Sequence, residues 1–163
     1  MVRFLGLFAL LVAGFYAAVA WAPLDRIFYE YLAANARLVN AILRSLGEET
    51  QVRGAEILSP RFSLAVRRGC DGLEPSWLFC SAVLAFPAPL RRKLRVLPLG
   101  VAVILAANAL RIASLYYIGV RFPAWFPAAH RQLWPATFIL LVVGLWLASV
   151  PSLQRIRTPE ASW

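Results

Sequence analysis

Three residues of this 163-residue chain could carry out covalent chemistry together: Cys70, Arg111 and His130, which is its only histidine. A thiolate attacks carbonyl carbons, an imidazole moves the proton of such a step, and a guanidinium stabilises charge that develops on oxygen. The residue types therefore indicate acyl transfer by a Cys/His pair. Two separated cysteines and one histidine are a poor ligand set for zinc, so we expect no metal and no cofactor.

The cysteine stands between two glycines, immediately before an apolar run that begins at Leu73. A helix starting there places the thiol near its N-terminus, where the helix dipole and free N–H groups favour an anion. The guanidinium groups of Arg67 and Arg68 favour the thiolate further, whereas the carboxylate of Asp71 opposes it. This setting is typical of a nucleophilic cysteine. Its neighbouring charges act on thiolate formation in opposite directions.

The second cysteine, Cys80, lies ten residues further along the same apolar run. Ten residues of helix span about 15 Å, whereas a disulfide needs Cα atoms within about 7 Å. We therefore expect no bridge between the two cysteines, and interpret Cys80 as a small buried hydrophobic residue.

The third residue, Arg111, interrupts an otherwise apolar run, where a guanidinium needs a polar partner. Asn108 and Ser114 lie three residues to either side, so all three share one helix face. Either this arginine extends to the outer headgroups, or it turns into the helix bundle towards the thiol. Five residues near the trio are candidates for substrate binding: Asn108, Ser114, Arg67, Arg68 and Asp71.

The composition indicates an integral membrane protein, because 61% of the residues are hydrophobic and only 15% are charged. This balance excludes a disordered chain, a coiled coil and a disulfide-stapled secreted module. We predict an all-α, single membrane domain over residues 1–163, with about four transmembrane helices near 4–22, 73–90, 96–120 and 133–150. The first run is too long for an ordinary signal peptide, so we expect a retained anchor.

The net charge of +9 sets the orientation of these spans and does not indicate a nucleic-acid binder. Four cations within residues 91–95 separate the second span from the third, which predicts a short cytoplasmic loop. Both chain ends, with Arg3, Arg155 and Arg157, then lie in the cytoplasm. The cysteine, the arginine and the histidine are placed on the outer side.

The outer segment, residues 23–72, is predicted to contain an amphipathic helix and a small β-hairpin. Apolar residues recur at steps of three and four between Ile27 and Leu46, which predicts a helix resting on the outer leaflet. Residues 62–66 alternate between apolar and small or polar side chains, and Ser59-Pro60 is a turn signal. We therefore expect the hairpin between residues 51 and 67.

Three short motifs resemble the exosortase/archaeosortase family, and in particular its compact exosortase H type. They are Gly-Cys-Asp-Gly-Leu at 69–73, Asn-Ala-Leu-Arg-Ile at 108–112 and His130 before the last span. The resemblance covers about residues 25–150 and implies that Cys70, Arg111 and His130 form the catalytic trio. The sequence departs from the family pattern at Asp71, because family members often have a serine or another small polar residue after the cysteine.

The resemblance implies a cysteine protease/transpeptidase in the bacterial cell inner membrane, with its site facing the periplasm. Its partners would be the lipid bilayer and exported proteins that end in a short motif, an apolar helix and a basic tail. The enzyme would cleave this C-terminal sorting signal through a thioester. Two alternatives remain: an enzyme that only hydrolyses, and a non-catalytic membrane assembly or transporter subunit.

Overall fold

A computed structural model describes residues 2–154 of the chain, apart from the side chains of Ala22 and Gln154. Three helical segments are long and apolar enough to cross a membrane: Val2–Val19, Leu90–Arg121 and Pro123–Leu153. A shorter apolar helix, Leu73–Ala85, packs against helices from all three segments. The predicted class, a helical membrane protein with a small amount of β-structure, is confirmed.

The elements follow one another in a simple order along the chain. The helices are α1 (Val2–Val19), α2 (Asp25–Ser45), α3 (Leu73–Ala85), α4 (Leu90–Arg121), α5 (Phe126–Ala128) and α6 (Trp134–Gln154). The strands are β1 (Gln51–Arg53), β2 (Glu56–Leu58) and β3 (Leu64–Ala65). A π-helical turn, Ala129–Leu133, joins α5 directly to α6.

Helix α3 is shorter than the predicted span over 73–90. Its 13 residues extend only about 20 Å, less than the roughly 30 Å thickness of a bilayer core. The helix stops because Pro87 and Pro89 follow it, and the residue before a proline is driven out of the helical region. Phe86 accordingly has extended backbone angles, with φ −66° and ψ 137°.

The basic run at 91–95 is helical and does not form the predicted loop. Helix α4 begins at Leu90, so these cations occupy its first two turns. Arg92 donates to the carbonyl oxygen of Leu153 at 3.1 Å, and Lys93 donates to that of Leu84 at 2.6 Å. They thus bind carbonyl groups at the C-terminal ends of α6 and α3, where helices leave acceptors free. The other predicted cytoplasmic cations near the C-terminus, Arg155 and Arg157, lie outside the described residues.

The apolar stripe of α2 is buried within the protein. Leu32, Ala36, Val39 and Leu43 on this stripe pack against α4 and the sheet. The amphipathic periodicity is therefore explained by a tertiary contact of the helix, because the stripe faces a neighbouring helix and two strands.

The sheet contains the predicted hairpin and one further strand. Strands β2 and β3 pair antiparallel across the segment that holds Ser59-Pro60, with Glu56 opposite Ala65. Strand β1 pairs with β2 through a turn at Gly54, where φ is +60°. The strand order is β1-β2-β3, so β3 lies at one edge.

Helix α4 belongs to both hydrophobic clusters of the described chain. Its C-terminal half packs with α2 and the sheet around Leu43, Ile57 and Tyr116. Its N-terminal half packs with α3 and α6 around Phe79, Ile104 and Phe138. Side chains of α4 near the junction of these clusters can therefore contact elements from both sides.

Candidate active site

The loop Gly69–Gly72 holds Cys70 at the N-terminal end of α3. Gly69 and Gly72 have φ values of +81° and +77°, which side chains with a Cβ rarely adopt. The backbone N–H of Cys70 donates to the carbonyl oxygen of Arg67, closing a turn. This arrangement explains the pair of glycines around the cysteine, because each one reverses the chain beside it.

The residue after the cysteine is anchored on both its side chain and its backbone. Asp71 is buried, and its carboxylate accepts the backbone N–H of Leu73 at 3.1 Å, in the first turn of α3. The hydroxyl of Tyr31, from α2, donates to the carbonyl oxygen of Asp71 at 2.9 Å. The thiol is therefore positioned by a loop that contacts two helices.

Arg111 turns into the protein and contacts the cysteine loop. Its Nη2 lies 3.5 Å from the sulfur of Cys70, and its Nη1 donates to the carbonyl oxygen of Gly69 at 3.3 Å. The guanidinium also lies over the ring of Phe138, 5.6 Å from the ring centroid. The alternative in which this arginine extends to the headgroups is thus not the observed conformation, since only 6% of the residue is exposed.

The positive charge of Arg111 has no anionic side chain beside it. No carboxylate of residues 2–154 lies within ion-pairing distance of its guanidinium. Its buried Nε has no hydrogen-bond partner among the same residues. Because a buried cation is strongly stabilised by a nearby anion, this guanidinium favours negative charge on a group bound beside it.

His130 also lies within contact distance of the thiol. Its Nε2 is 3.6 Å and its Nδ1 3.9 Å from the sulfur of Cys70, so either nitrogen can exchange a proton with it. Phe126 stacks on the imidazole ring, with centroids 5.8 Å apart and planes 9° from parallel. The histidine belongs to the π-helical turn, a geometry that is frequent at functional sites, and not to the loop that the sequence suggested.

The pKa of the Cys70 thiol is raised above its ordinary value. Burial is the largest cause, the positive charge of Arg111 opposes it, and the carboxylates of Asp71 and Glu74 raise the pKa further. The pKa of Asp71 is raised as well, because its burial outweighs the hydrogen bond from Leu73 and the nearby cations. In the resting protein the thiol form is therefore favoured, and a base beside it is needed to generate the thiolate.

The five further candidates differ in where the structure places them. Asn108 is fully buried beside Gly72, and its amide donates to Asn35 at 3.4 Å, while Ser114 donates to the carbonyl oxygen of Arg111 at 2.8 Å. Arg68 pairs with Asp25. Among these five residues, only two lie beside the thiol. Asp71 belongs to the same loop as Cys70, and Arg67 lines a cavity next to the sulfur.

Three aromatic residues at the site were not identified from the sequence. Phe126 lies four residues before His130, so helical spacing alone could have paired them. Phe138 and Tyr31 reach the site from α6 and α2, and only the packing of those helices brings them there.

Two cavities adjoin the cysteine loop. One, of about 590 Å³, is mostly apolar, lies between α1, α3 and α6, and reaches Gly69 and Arg111. The other, of about 340 Å³, is lined by residues 62–67, Cys70 and His130. A ligand can therefore reach the thiol through the smaller cavity, on the side of β3. It can reach the guanidinium through the larger, apolar cavity.

Comparison with known protein families gives a match over most of the chain. The sequence model of the transmembrane exosortases matches residues 3–146, a range that contains Cys70, Arg111 and His130. Comparison with curated proteins and with solved structures gives no match. Because the family match extends over far more than half of the residues, this chain belongs to the transmembrane exosortase family.

Proposed function

We propose that this protein is a membrane cysteine peptidase/transpeptidase that cleaves a C-terminal sorting signal from exported proteins. The observation that carries the proposal is one thiol within contact distance of both an imidazole and a buried guanidinium that forms no ion pair with a carboxylate of residues 2–154. Family membership supports the same chemistry. The catalytic residues in this proposal are Cys70, Arg111 and His130.

In the first half-reaction, His130 accepts the proton of Cys70 and the resulting thiolate attacks the scissile carbonyl carbon. The new S–C bond converts the carbonyl oxygen into an oxyanion. As the C–N bond breaks, the protonated imidazole gives its proton to the leaving amine. The products are a thioester on Cys70 and the released C-terminal segment.

In the second half-reaction, water or an acceptor amine or hydroxyl attacks the thioester. His130 removes the proton of this nucleophile. As the S–C bond breaks, the protonated imidazole gives that proton to the leaving sulfur, which returns the thiol and the neutral histidine. Hydrolysis leaves a free carboxylate on the product, whereas transfer leaves it joined to the acceptor.

Arg111 stabilises the negative charge in both half-reactions. Its Nη2 faces the sulfur, and its unpartnered Nε is a further donor for an oxyanion beside the sulfur. A preorganised donor of this kind is worth most in a buried site, since little water screens its charge. Among the substrate-binding candidates, Arg67 contacts the peptide, Asp71 holds the cysteine loop, and Asn108, Ser114 and Arg68 support the elements around it.

The proposed substrate is anchored in the same bilayer, in the bacterial cell inner membrane with the site on the periplasmic side. The apolar cavity between α1, α3 and α6 leads to Gly69 and Arg111, so an apolar segment in it would end beside the thiol. The cations at the start of α4 support the orientation, because basic residues concentrate on the cytoplasmic side.

The test is processing of a candidate substrate in cells that express the Cys70→Ala variant. The substrate is an exported protein that ends in a short motif, an apolar helix and a basic tail, encoded near this gene. Cys80→Ala is the matched control, because it removes the other thiol from the same helix region. We expect processing to stop only in Cys70→Ala, with both variants present in the membrane. Continued processing in Cys70→Ala would overturn the proposal that this protein is the processing enzyme, and would favour a non-catalytic membrane subunit.

A further inference from the structure

Backbone groups on the open edge of strand β3 form no hydrogen bond with another strand of the described residues. The N–H of Val66 donates to the carbonyl oxygen of Ala55 at 2.9 Å, which makes these two residues a hydrogen-bonded pair. Residues alternate in direction along an antiparallel ladder, so the N–H and C=O of Ala65 point away from β2. Since β3 is the last strand of the sheet, these groups lie at its edge without a hydrogen-bond partner among residues 2–154.

This edge borders the cavity that contains the thiol. The cavity of about 340 Å³ is lined by residues 62–67 on the strand side, and by Cys70 and His130 at the site. Ile112, Leu115 and Phe126 form an apolar wall. An unpaired strand edge, an apolar wall and a nucleophile thus share one cavity.

An extended polypeptide is the ligand whose chemistry matches this combination. Exposed strand edges bind extended peptides through main-chain hydrogen bonds, while adjacent pockets receive alternate side chains. The acyl half of a substrate also stays on the enzyme as the thioester between the two half-reactions. A binding edge beside the thiol therefore acts most effectively on the residues that precede the scissile bond.

We propose that the substrate residues preceding the scissile bond bind as a fourth strand on the open edge of β3, paired with the backbone of Ala65. This inference rests on the proposed function, and it specifies the conformation of the bound substrate and the residue whose backbone binds it. The main-chain contacts bind the peptide largely independently of its sequence. The apolar wall then selects the side chains that face it.

The experiment compares two reagents that alkylate Cys70 in the full chain, reconstituted in lipid nanodiscs with Cys80 replaced by alanine. Iodoacetamide reports the intrinsic reactivity of the thiol. Acetyl-Ala-Ala-Ala chloromethyl ketone carries a peptide that can pair with the edge, and its thiolate displacement of chloride leaves a stable thioether. The readout is the ratio of the peptidyl rate to the iodoacetamide rate, which cancels changes in the thiol itself.

The decisive variant is Ala65→Pro, because proline removes the outward N–H and leaves the hydrogen bonds between β2 and β3 in place. We expect the rate ratio to fall by about three- to tenfold, as for the loss of one hydrogen bond. Val52→Pro is the matched control: by the same alternation its N–H points from the opposite edge of the sheet. The ratio in this control should equal that of the parent protein.

A second measurement covers the possibility that Ala65→Pro disturbs the fold. Analogues of the chloromethyl ketone methylated at each amide nitrogen in turn are tested on the parent protein, and we expect at least one to react severalfold more slowly than the unmodified peptide. Equal ratios in Ala65→Pro and the parent, or equal rates for all analogues, would overturn the strand docking. Continued processing by Cys70→Ala would instead overturn the proposed function, so the two failures are distinguishable.

Discussion

The guanidinium of Arg111 lies 3.5 Å from the sulfur of Cys70, although the two residues are 41 positions apart in the chain. The arginine is supplied by the long central helix α4 and the cysteine by a loop between two glycines. Because no carboxylate of the described residues neutralises this arginine, its charge is free to act on the sulfur or on an oxyanion formed there.

Replacing Arg111 should slow the chemistry with little effect on membrane insertion. In Arg111→Gln we expect the processing rate to fall by about 10²–10³-fold, the usual loss when an oxyanion donor is removed. Arg111→Lys keeps the charge but cannot bind both Gly69 and the sulfur, so it should restore only part of the rate. The measurement is processed substrate per unit of membrane-inserted enzyme. An unchanged rate in Arg111→Gln would exclude a direct role in catalysis.

His130→Gln should lose activity in both half-reactions, because glutamine cannot transfer a proton. We expect about 10²–10⁴-fold slower processing, the range for loss of a general acid–base residue. Arg131→Gln is the matched control, since it alters the next residue of the same π-helical turn. A rate loss of equal size in Arg131→Gln would mean that the turn, and not the imidazole, is required.

Neutralising Asp71 should make the Cys70 thiol ionise at lower pH. Burial raises the pKa of this thiol, and the negative charge of Asp71 raises it further. Asp71→Asn removes this negative charge and should therefore lower the pKa of the thiol. We expect the curve of iodoacetamide alkylation rate against pH to move towards lower pH. Glu74→Gln is the control, because its carboxylate has the smaller effect on the same thiol. A shift to higher pH in Asp71→Asn would contradict the proposed electrostatics.

A methyl group at position 72 should destabilise the protein at the start of α3. Gly72 has φ +77°, and a Cβ built on it would lie 3.0 Å from the Cβ of Asn108. The backbone strain alone costs about 1–2 kcal/mol, so Gly72→Ala should lower the midpoint of thermal unfolding in detergent. Gly14→Ala in α1 meets no atom within 4 Å, and should leave the midpoint unchanged or raise it. Equal midpoints for the two variants would refute this account of the loop.

The local features of this protein could be predicted because they depend on neighbouring residues. The apolar runs identified the long helices, the stripe through Leu32 and Leu43 identified α2, and the run from Leu73 marked the start of a helix beside Cys70. The high free energy of an unpaired charge in a membrane predicted that Arg111 needs a polar partner, but it left open whether the side chain extends to the headgroups or turns into the bundle. The shortness of α3 was missed, although Pro87 and Pro89 carry the signal for its end.

The features that sequence reasoning missed depend on contacts between distant segments. Helical periodicity places Asn108, Arg111 and Ser114 on one face, but the packing of α4 decided that only the arginine reaches the sulfur. Arg68 was expected near the site, and a remote carboxylate, Asp25, binds it instead. The free edge of β3 beside the thiol likewise results from the strand order.

Residue types and short-range periodicity thus specified a helical membrane protein with a thiol, an imidazole and a guanidinium as its reactive groups. These properties follow from hydrophobicity and backbone preference, which act over a few residues. The tertiary fold determined which atoms meet: it placed His130 within 3.6 Å of the sulfur, left the carboxylates of residues 2–154 beyond ion-pairing distance of Arg111, and opened a strand edge next to the sulfur and the imidazole. Such distances depend on how helices cross and rotate against one another, and no local pattern encodes that geometry.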